Sequence, residues 1–403
     1  MSRDGGRPAP LAVCLRHVRD PHLRRRVEAG SVQAPCRICA AGPERRCASV
    51  PLEELVAQVR RAAGRVYREV HPPDPNGRHP DGSVGSAEVL STLCPDALDE
   101  GARAAVAHAL EPVRWAPHAP GASPGQGGVC EPWPSFTERV KHRRRFTLLA
   151  AQSPGRHPWS PRDDTPSTLG MLDGICAALV PLGLIRTLPT GVRIWRGRMR
   201  RDASRPGYTA ATIGAAPASR AKANRMSAAG LSMFYGSADP DVAVAEISAH
   251  DPRPFAAVAA FEPARPLSVI DLTALPEPPS LFDPRWSGLF LPVTFIRAFA
   301  QDLSRPVVLD GREHLDYVPT QVVTEYFRWA APLRVDGILF RSARDGGLNY
   351  GLFTGPEGCA DAGEERPGAM LRFVPGSEVV LRRRDGPRSP DGPKSGESAA
   401  RAD

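Results

Sequence analysis

Glycine and proline set the strongest limit on how this chain folds, because 37 glycines and 44 prolines are distributed among its 403 residues. Proline removes a backbone N–H and fixes φ, and glycine raises the entropy cost of ordering a helix or strand. The chain is 41% hydrophobic, which is enough to bury a core in one large domain or in two. We therefore expect short helices and strands that are separated by long loops.

Hydropathy and charge narrow the class of protein. No apolar stretch reaches the length of about 18 residues that a membrane helix needs, and the first residues do not form an apolar signal core. The net charge of +8 comes almost entirely from arginines, which are spread along the chain rather than collected in one basic block. We expect a cytoplasmic protein without a membrane span, and we do not expect nucleic acid as a partner.

Composition changes along the chain predict four segments. Residues 1–150 are interpreted as an N-terminal domain, which is mainly helical and contains zinc knuckles at 10–48. Residues 151–167 are rich in proline and predict a linker, and 168–381 predict a second domain that begins with a helix. Residues 382–403 carry almost no apolar side chain, so they are predicted to be a disordered tail.

The second domain shows short strands interrupted by helices. Apolar residues at helical spacing predict a helix from Thr168 to Gly183, and prolines suited to a first helical turn, Pro240 after the capping Asp239 and Pro319, predict helices at about 240–249 and 319–331. The irregular alternation predicts an α+β fold rather than a doubly wound one. The predicted strands are Ile194–Trp195, Met233–Tyr235, Ala256–Phe261, Leu267–Leu272, Ile338–Phe340 and Tyr350–Phe353.

Cysteine and histidine form two pairs near the N-terminus, each with two residues between its members. The four candidate ligands are Cys14, His17, Cys36 and Cys39. This spacing is typical of a tetrahedral structural zinc site, with His22 and Cys47 as the reserve ligands. Four protein ligands close the coordination shell, so we expect the ion to stabilise a small domain and to take no part in catalysis.

Four segments of the second half resemble the RES domain, a family named for an arginine, a glutamate and a serine. They are Trp195–Arg198, Arg225–Ser237, Ala243–Glu246 and Phe340–Asp345. The resemblance covers about residues 190 to 355. It departs from the family at residues 226–229, where Met-Ser-Ala-Ala replaces the usual Trp-Asn-Pro-Pro.

This resemblance implies a fold similar to ADP-ribosyltransferases and an enzyme that degrades NAD⁺, such as the toxin of a pair with an Xre-type antitoxin. The nicotinamide of NAD⁺ leaves as a neutral group, so the main requirement is a carboxylate that stabilises the oxocarbenium charge on the ribose. The expected catalytic residues are Glu246, Tyr235 and Ser342, and the expected NAD⁺-binding residues are Arg225, Arg196 and Asn349. Whether water, phosphate or a protein side chain accepts the ADP-ribose stays open, which leaves a glycohydrolase, a phosphorylase and an ADP-ribosyltransferase as alternatives.

The N-terminal half permits two other interpretations. Its zinc pairs, Glu88–Leu93 and Phe136–Phe146 are similar to the HEPN/RES N-terminal domain that often precedes RES domains. Arg103 and His108 have the spacing associated with HEPN ribonucleases, but on a helix they are about 140° apart. A zinc module that binds nucleic acid or protein through its arginine runs, without catalysis, is the remaining alternative.

Overall fold

The computed structural model describes residues 11–39, 46–70, 83–117, 131–146, 168–204, 207–248, 251–306, 311–342 and 346–382. The predicted linker, 151–167, and nearly all of the predicted tail lie outside these ranges. The chain divides into two compact units. Unit 1 is Met1–Thr187, Ala218–Leu231 and Ser268–Phe340, and unit 2 is Leu188–Pro217, Ser232–Leu267 and Arg341–Asp403. The limits of both units differ from the predicted domain limits. The predicted limits divide the chain into consecutive segments, and they stay a prediction.

The elements are short, as the glycine and proline content predicts. The strands of the described residues are β1 (Ala12–Cys14), β2 (Val32–Pro35), β3 (Arg46–Pro51), β4 (Tyr67–Val70), β5 (Val84–Gly85), β6 (Arg114–Pro117), β7 (Ile185–Leu188), β8 (Ile194–Arg200), β9 (Phe234–Ser237), β10 (Phe255–Pro263), β11 (Leu267–Asp271), β12 (Gly337–Arg341), β13 (Leu348–Leu352), β14 (Cys359–Ala360), β15 (Leu371–Phe373) and β16 (Val379–Arg382). The α-helices in the same ranges are α1 (Pro21–Glu28), α2 (Leu52–Ala63), α3 (Ser86–Leu93), α4 (Glu100–Ala109), α5 (Trp133–His142), α6 (Thr168–Leu179), α7 (Ala210–Ile213), α8 (Pro240–Ser248), α9 (Phe290–Leu303), α10 (Glu313–Asp316) and α11 (Val318–Glu325).

Residues 11–117 of unit 1 combine helices with two small antiparallel sheets. The sheet orders are β1-β3-β2 and β4-β6-β5, and α1 to α4 pack around a shared apolar core. Trp115, on the middle strand of the second sheet, is fully buried in that core and donates its indole N–H to Ser86 Oγ at 2.9 Å. The prediction of a mainly helical N-terminal domain missed these six strands. They are only two to six residues long, which is too short for an alternating pattern to be recognised.

The remainder of unit 1 is built around aromatic side chains. Trp133 and Phe136 on α5 contact Phe295 on α9 with ring centroids 5.0 and 5.4 Å apart, and Trp133 also donates a hydrogen bond to Asp302. The strands of this part follow the order β12-β11-β7, with β11 and β12 parallel. Helix α6 forms where the sequence predicts it, and α11 continues into a π-helical turn at Tyr326–Ala330.

Unit 2 contains a largely antiparallel sheet with the order β14-β15-β10-β8-β9-β13, and β16 pairs with β10 beyond β15. Helix α8 packs against β8 and β10. All six predicted strand regions of the second domain contain strands, and the described residues agree with the coarser prediction of a mixed α and β structure. Across the described ranges, no helix combines the length and the apolar character needed to cross a membrane.

Candidate functional site

Two neighbouring strands of unit 2 bring two of the predicted positions, Tyr235 and Asn349, to one face of the sheet together with Ser237, which was not predicted. Asn349 on β13 stands opposite Ser237 on β9, and Gly351 stands opposite Tyr235. Directly opposed residues in an antiparallel pair share a face, and residues two apart on one strand do so as well. Tyr235, Ser237 and Asn349 therefore all project from the same side.

Helix α8 packs against β8 on this face of the sheet, where β8 has a glycine, Gly197, next to the helix. A Cβ atom on Gly197 would lie 2.5 Å from Ile247 Cδ1 and 3.0 Å from Val258 Cγ1, so a side chain at this position would force the Ile247 side chain of α8 to move. The start of α8 is fixed by Asp239, whose carboxylate accepts the Asp241 N–H at 2.7 Å. The glycine in the Trp-Arg-Gly-Arg segment thus allows the last turn of α8, which carries Glu246, to approach the sheet.

A chain of hydrogen bonds connects the sheet to the Glu246 carboxylate. The Ser237 hydroxyl donates to Asn349 Oδ1 at 2.7 Å, and Asn349 Nδ2 donates to Glu246 Oε1 at 2.9 Å. Ser237 and Asn349 are only 3% and 7% exposed, whereas Glu246 is half-buried. Since the serine occupies the amide oxygen, the NH₂ group of Asn349 has to face the carboxylate. The arrangement holds one carboxylate oxygen in place and orients it with buried groups.

Tyr235 and Ser342 complete the set of predicted catalytic residues. Tyr235 is half-buried, and its hydroxyl lies 3.2 Å from Met233 Sδ on the same face of the sheet. Ser342 directly follows β12 and is buried, and its backbone N–H donates to the Gly347 carbonyl at 2.7 Å. This bond connects the residue after β12 with the residue before β13, the strand that carries Asn349. All of these residues belong to unit 2.

Arg196 lies on the opposite face of the sheet. Its Nε donates to the Gly214 carbonyl at 2.8 Å, its Nη1 donates to the Tyr235 carbonyl at 2.5 Å, and its guanidinium lies over the Phe234 ring. These surroundings remove the group from water and lower its pKa to about 10. Its observed contacts hold neighbouring backbone segments together, and its predicted contact with the NAD⁺ diphosphate stays a prediction.

Arg225 belongs to unit 1 and is described with that unit. Its Nε and Nη2 donate to the carbonyls of Arg305 and Pro306 at 3.1 and 2.9 Å, and its guanidinium lies 5.3 Å from the centroid of the Tyr317 ring. The loop that carries it is also tied to α11, because Gln321 Nε2 donates to the Asn224 carbonyl at 2.8 Å. Burial lowers the pKa of the Arg225 guanidinium, yet the group remains a cation near neutral pH.

Comparison with protein families identifies the segment that contains these residues. The family model of the RES domain matches residues 193–373. This segment is a RES domain. Every residue predicted for the NAD⁺ site lies inside the RES domain, while residues 1–192 lie outside the match.

Comparison with solved structures adds a distant similarity. A chain in the "Crystal structure of the M.tuberculosis MbcT-MbcA toxin-antitoxin complex" is 14% identical, and the alignment covers 53% of this chain and 91% of that one. The TM-score is 0.27, which does not establish a common fold. Comparison with curated protein sequences gives no match.

Sequence reasoning missed Ser237 in the RES domain. Its role becomes visible only when β9 and β13 pair, since Ser237 and Asn349 are 112 residues apart in sequence. The one available signal was its position two residues after Tyr235, which places both on the same face of a strand.

Outside the RES domain, the structure brings the two cysteine and histidine pairs together in unit 1. The ligand atoms of Cys14, His17, Cys36 and Cys39 all lie within 4.8 Å of one another. Cys39 Sγ is 3.5 Å from Cys14 Sγ and 3.2 Å from His17 Nε2. Ligands at about 2.3 Å from a tetrahedral ion are separated by roughly 3.8 Å, so these separations fit one bound metal ion.

The pKa values of the Cys14 and Cys36 thiols are shifted in opposite directions. Burial alone raises the pKa of a thiol, and it raises that of Cys14 to about 12. Cys36 is also partly buried, but its Sγ accepts the backbone N–H groups of Cys14 and Ile38 at 3.2 and 3.4 Å, and its pKa is lowered to about 6. A thiolate is the form of cysteine that binds metal.

The residues behind the ribonuclease interpretation lie on α4. The Arg103 guanidinium donates to the Pro95 carbonyl at 2.8 Å, and His108 is exposed at the other end of the helix. These contacts place the two side chains in different surroundings.

Proposed function

We propose that the RES domain cleaves the bond between nicotinamide and ribose in NAD⁺, with Glu246 as the residue that stabilises the positive charge of the transition state. The observation that carries this proposal is the hydrogen bond from Asn349 Nδ2 to Glu246 Oε1. The Ser237 hydroxyl donates to Asn349 Oδ1 and thereby orients the Asn349 amide for this bond. A carboxylate held by buried partners needs no reorganisation when charge develops beside it, and such preorganisation is a major source of catalysis.

The chemistry of NAD⁺ suits a site with one carboxylate. Nicotinamide is a pyridinium cation in the substrate and leaves as a neutral molecule, so its departure requires no general acid. The positive charge moves to the ribose ring as the bond breaks, and Glu246 is proposed to face this charge. Tyr235 is proposed to stack on the pyridinium ring, since an aromatic face attracts a flat cation. Ser342 is proposed to donate a hydrogen bond to a ribose hydroxyl or to the carboxamide.

The acceptor of the ADP-ribose group is tested by analysing products. We expect the full chain to release nicotinamide from NAD⁺ and to leave NADH intact, because a dihydronicotinamide does not leave as a stable neutral pyridine. Mass spectrometry then distinguishes free ADP-ribose, its phosphate ester in phosphate buffer, and ADP-ribose attached to protein. The first product supports a glycohydrolase, and the others identify a phosphorylase or a transferase. Failure to release nicotinamide under any condition would contradict the proposed function.

Arg225 is proposed to bind the diphosphate of NAD⁺, because a guanidinium pairs with phosphate oxygens in a bidentate manner. Arg225→Ala is expected mainly to raise KM, since the diphosphate carries the same charge in the ground state and the transition state. Arg297→Ala is a matched control, because Arg297 in the same unit also donates to backbone carbonyls, those of Leu275 and Pro276. A lower kcat with unchanged KM in Arg225→Ala would contradict the assigned role.

Partners follow from the family rather than from the contacts of this chain. RES domains of this type act with an antitoxin, and we propose that an Xre-type protein would restrain the NAD⁺ cleavage described above.

The ribonuclease interpretation predicts that activity depends on His108, and the binding interpretation predicts that activity depends on neither His108 nor Glu246.

A further inference from the structure

We propose that Cys14, His17, Cys36 and Cys39 hold one zinc ion, and that Asp99 links this ion to the start of helix α4. The inference concerns residues 12–109 of unit 1 and does not depend on the proposed reaction of the RES domain. Its new element is Asp99, which lies 60 residues beyond the last cysteine of the cluster and contacts it only in the folded chain.

The two nitrogens of the His17 ring have different partners. Nε2 faces the cluster and lies 3.2 Å from Cys39 Sγ, whereas Nδ1 forms a short hydrogen bond with Asp99 Oδ2. A carboxylate at Nδ1 keeps the proton on that nitrogen and leaves the lone pair of Nε2 for a metal ion. Carboxylates in this position orient metal-binding histidines. The tautomer and the ring orientation of His17 are thus set for metal binding.

The other oxygen of the same carboxylate begins helix α4. Asp99 Oδ1 accepts the backbone N–H of Ala102 at 2.9 Å, which is the pattern of an N-cap residue. The backbone N–H of Asp99 donates in turn to the His17 carbonyl at 3.0 Å. The Asp99 side chain therefore orients His17, a candidate metal ligand, and accepts a backbone N–H group from the first turn of α4. If the metal leaves, the His17 ring loses its bond at Nε2 and is held by its hydrogen bond to Asp99, so the Asp99 side chain is expected to be held less firmly at the start of α4.

Packing supplies a second contact between the cluster and α4. Ile38 lies between Cys36 and Cys39, and a Cβ atom built on Gly101 would be 2.5 Å from Ile38 Cγ2. Gly101 thus lets the first turn of α4 lie directly on the loop that carries the two cysteines. Behind this turn, Ala102 and Val106 are fully buried in the core of unit 1. The first turn of α4 therefore packs on one side against the loop that carries Cys36 and Cys39, and on the other side against the core of unit 1.

Zinc is the ion that best fits this set of donors. Three sulfur ligands and one imidazole are a common structural zinc set, and soft thiolates disfavour Mg²⁺ and Ca²⁺. Cys36 Sγ accepts the backbone N–H groups of Cys14 and Ile38 at 3.2 and 3.4 Å, which fixes the position of this sulfur next to the other ligands.

The test measures zinc affinity in the full chain by competition with a chromogenic chelator. We expect one zinc per wild-type chain and an affinity about 10-fold to 100-fold lower in Asp99→Ala, the range found when such an outer carboxylate is removed. Asp20→Ala is the matched control, because Asp20 caps α1 by accepting the N–H groups of His22 and Leu23 at 2.8 Å. We expect Asp20→Ala to bind zinc as the wild type does, although it too loses a helix cap.

A second measurement needs no variant and decides the question if Asp99→Ala fails to fold. Removing zinc from the wild-type chain should accelerate amide hydrogen exchange in the first turn of α4 more than in the first turn of α1. Any one of three results would overturn the proposal. The first is a purified chain that contains no zinc and takes up none from solution. The second is equal zinc affinity in Asp99→Ala and Asp20→Ala, and the third is hydrogen exchange in α4 that does not respond to zinc removal.

Discussion

Glu246→Gln is expected to release nicotinamide from NAD⁺ about a hundredfold to a thousandfold more slowly than the wild-type chain, the usual effect of removing one preorganised electrostatic partner from a developing charge. Glutamine keeps the shape of the side chain, and its amide oxygen still accepts the hydrogen bond that Asn349 donates to Glu246 Oε1. The substitution therefore removes the charge and preserves most of the structure.

NAD⁺ affinity distinguishes this mechanism from a binding role. The ribose carries little positive charge before the bond breaks, so calorimetry with Glu246→Gln should give a dissociation constant close to that of the wild type. Asp241→Asn is the matched control, since Asp241 is an exposed acid in the first turn of the same helix, α8. A similar loss of rate in both variants would indicate a general effect on the helix rather than a role for the Glu246 carboxylate.

Asn349→Ala is expected to lower kcat by about a hundredfold, because small displacements of a catalytic group have effects of this size. The substitution removes the donor that holds Glu246, and it leaves the buried Ser237 hydroxyl without the acceptor it uses in the folded chain. An unsatisfied buried polar group costs about 1 to 3 kcal/mol, so the thermal midpoint should also fall. Steady-state kinetics and thermal unfolding on the same preparation measure both effects.

The kinetic pattern of this variant separates two roles for Asn349. The sequence predicts that it binds NAD⁺, and loss of a binding contact raises KM with little change in kcat. Loss of a positioning contact lowers kcat, and Ser237→Ala should then show the same pattern more weakly, since it frees the Asn349 amide without removing it. An increase in KM alone for Asn349→Ala, with Ser237→Ala unaffected, would contradict the positioning role.

Local patterns were sufficient to predict much of the second half of the fold. Proline after a capping aspartate predicts α8, and the structure has this helix at Pro240–Ser248 with Asp239 receiving a backbone N–H. Buried apolar runs bounded by turns predict β10 and β11, which are among the most buried strands of the chain. The two-residue spacing of the cysteine and histidine pairs predicts a cluster, and the four ligand atoms do meet.

The features that sequence reasoning missed depend on contacts between residues that are far apart in the sequence. Ser237 orients Asn349 only because β9 and β13 align in one particular register, and sequence spacing does not specify a register. Asp99 has the sequence signature of a helix cap, but nothing in its local sequence shows that its second oxygen meets His17. The strands β1 to β6 are too short for a local pattern to outweigh the helical segments around them.

The central claim is that the RES domain breaks the bond between nicotinamide and ribose with the help of the Glu246 carboxylate. Single-turnover kinetics test it most directly, with the full chain in excess over NAD⁺ and nicotinamide quantified by mass, because product release then has no influence on the rate. We predict stoichiometric release of nicotinamide by the wild-type chain and a rate at least about a hundredfold lower for Glu246→Gln. Release at an undiminished rate by Glu246→Gln, or no release by the wild type, would contradict the claim.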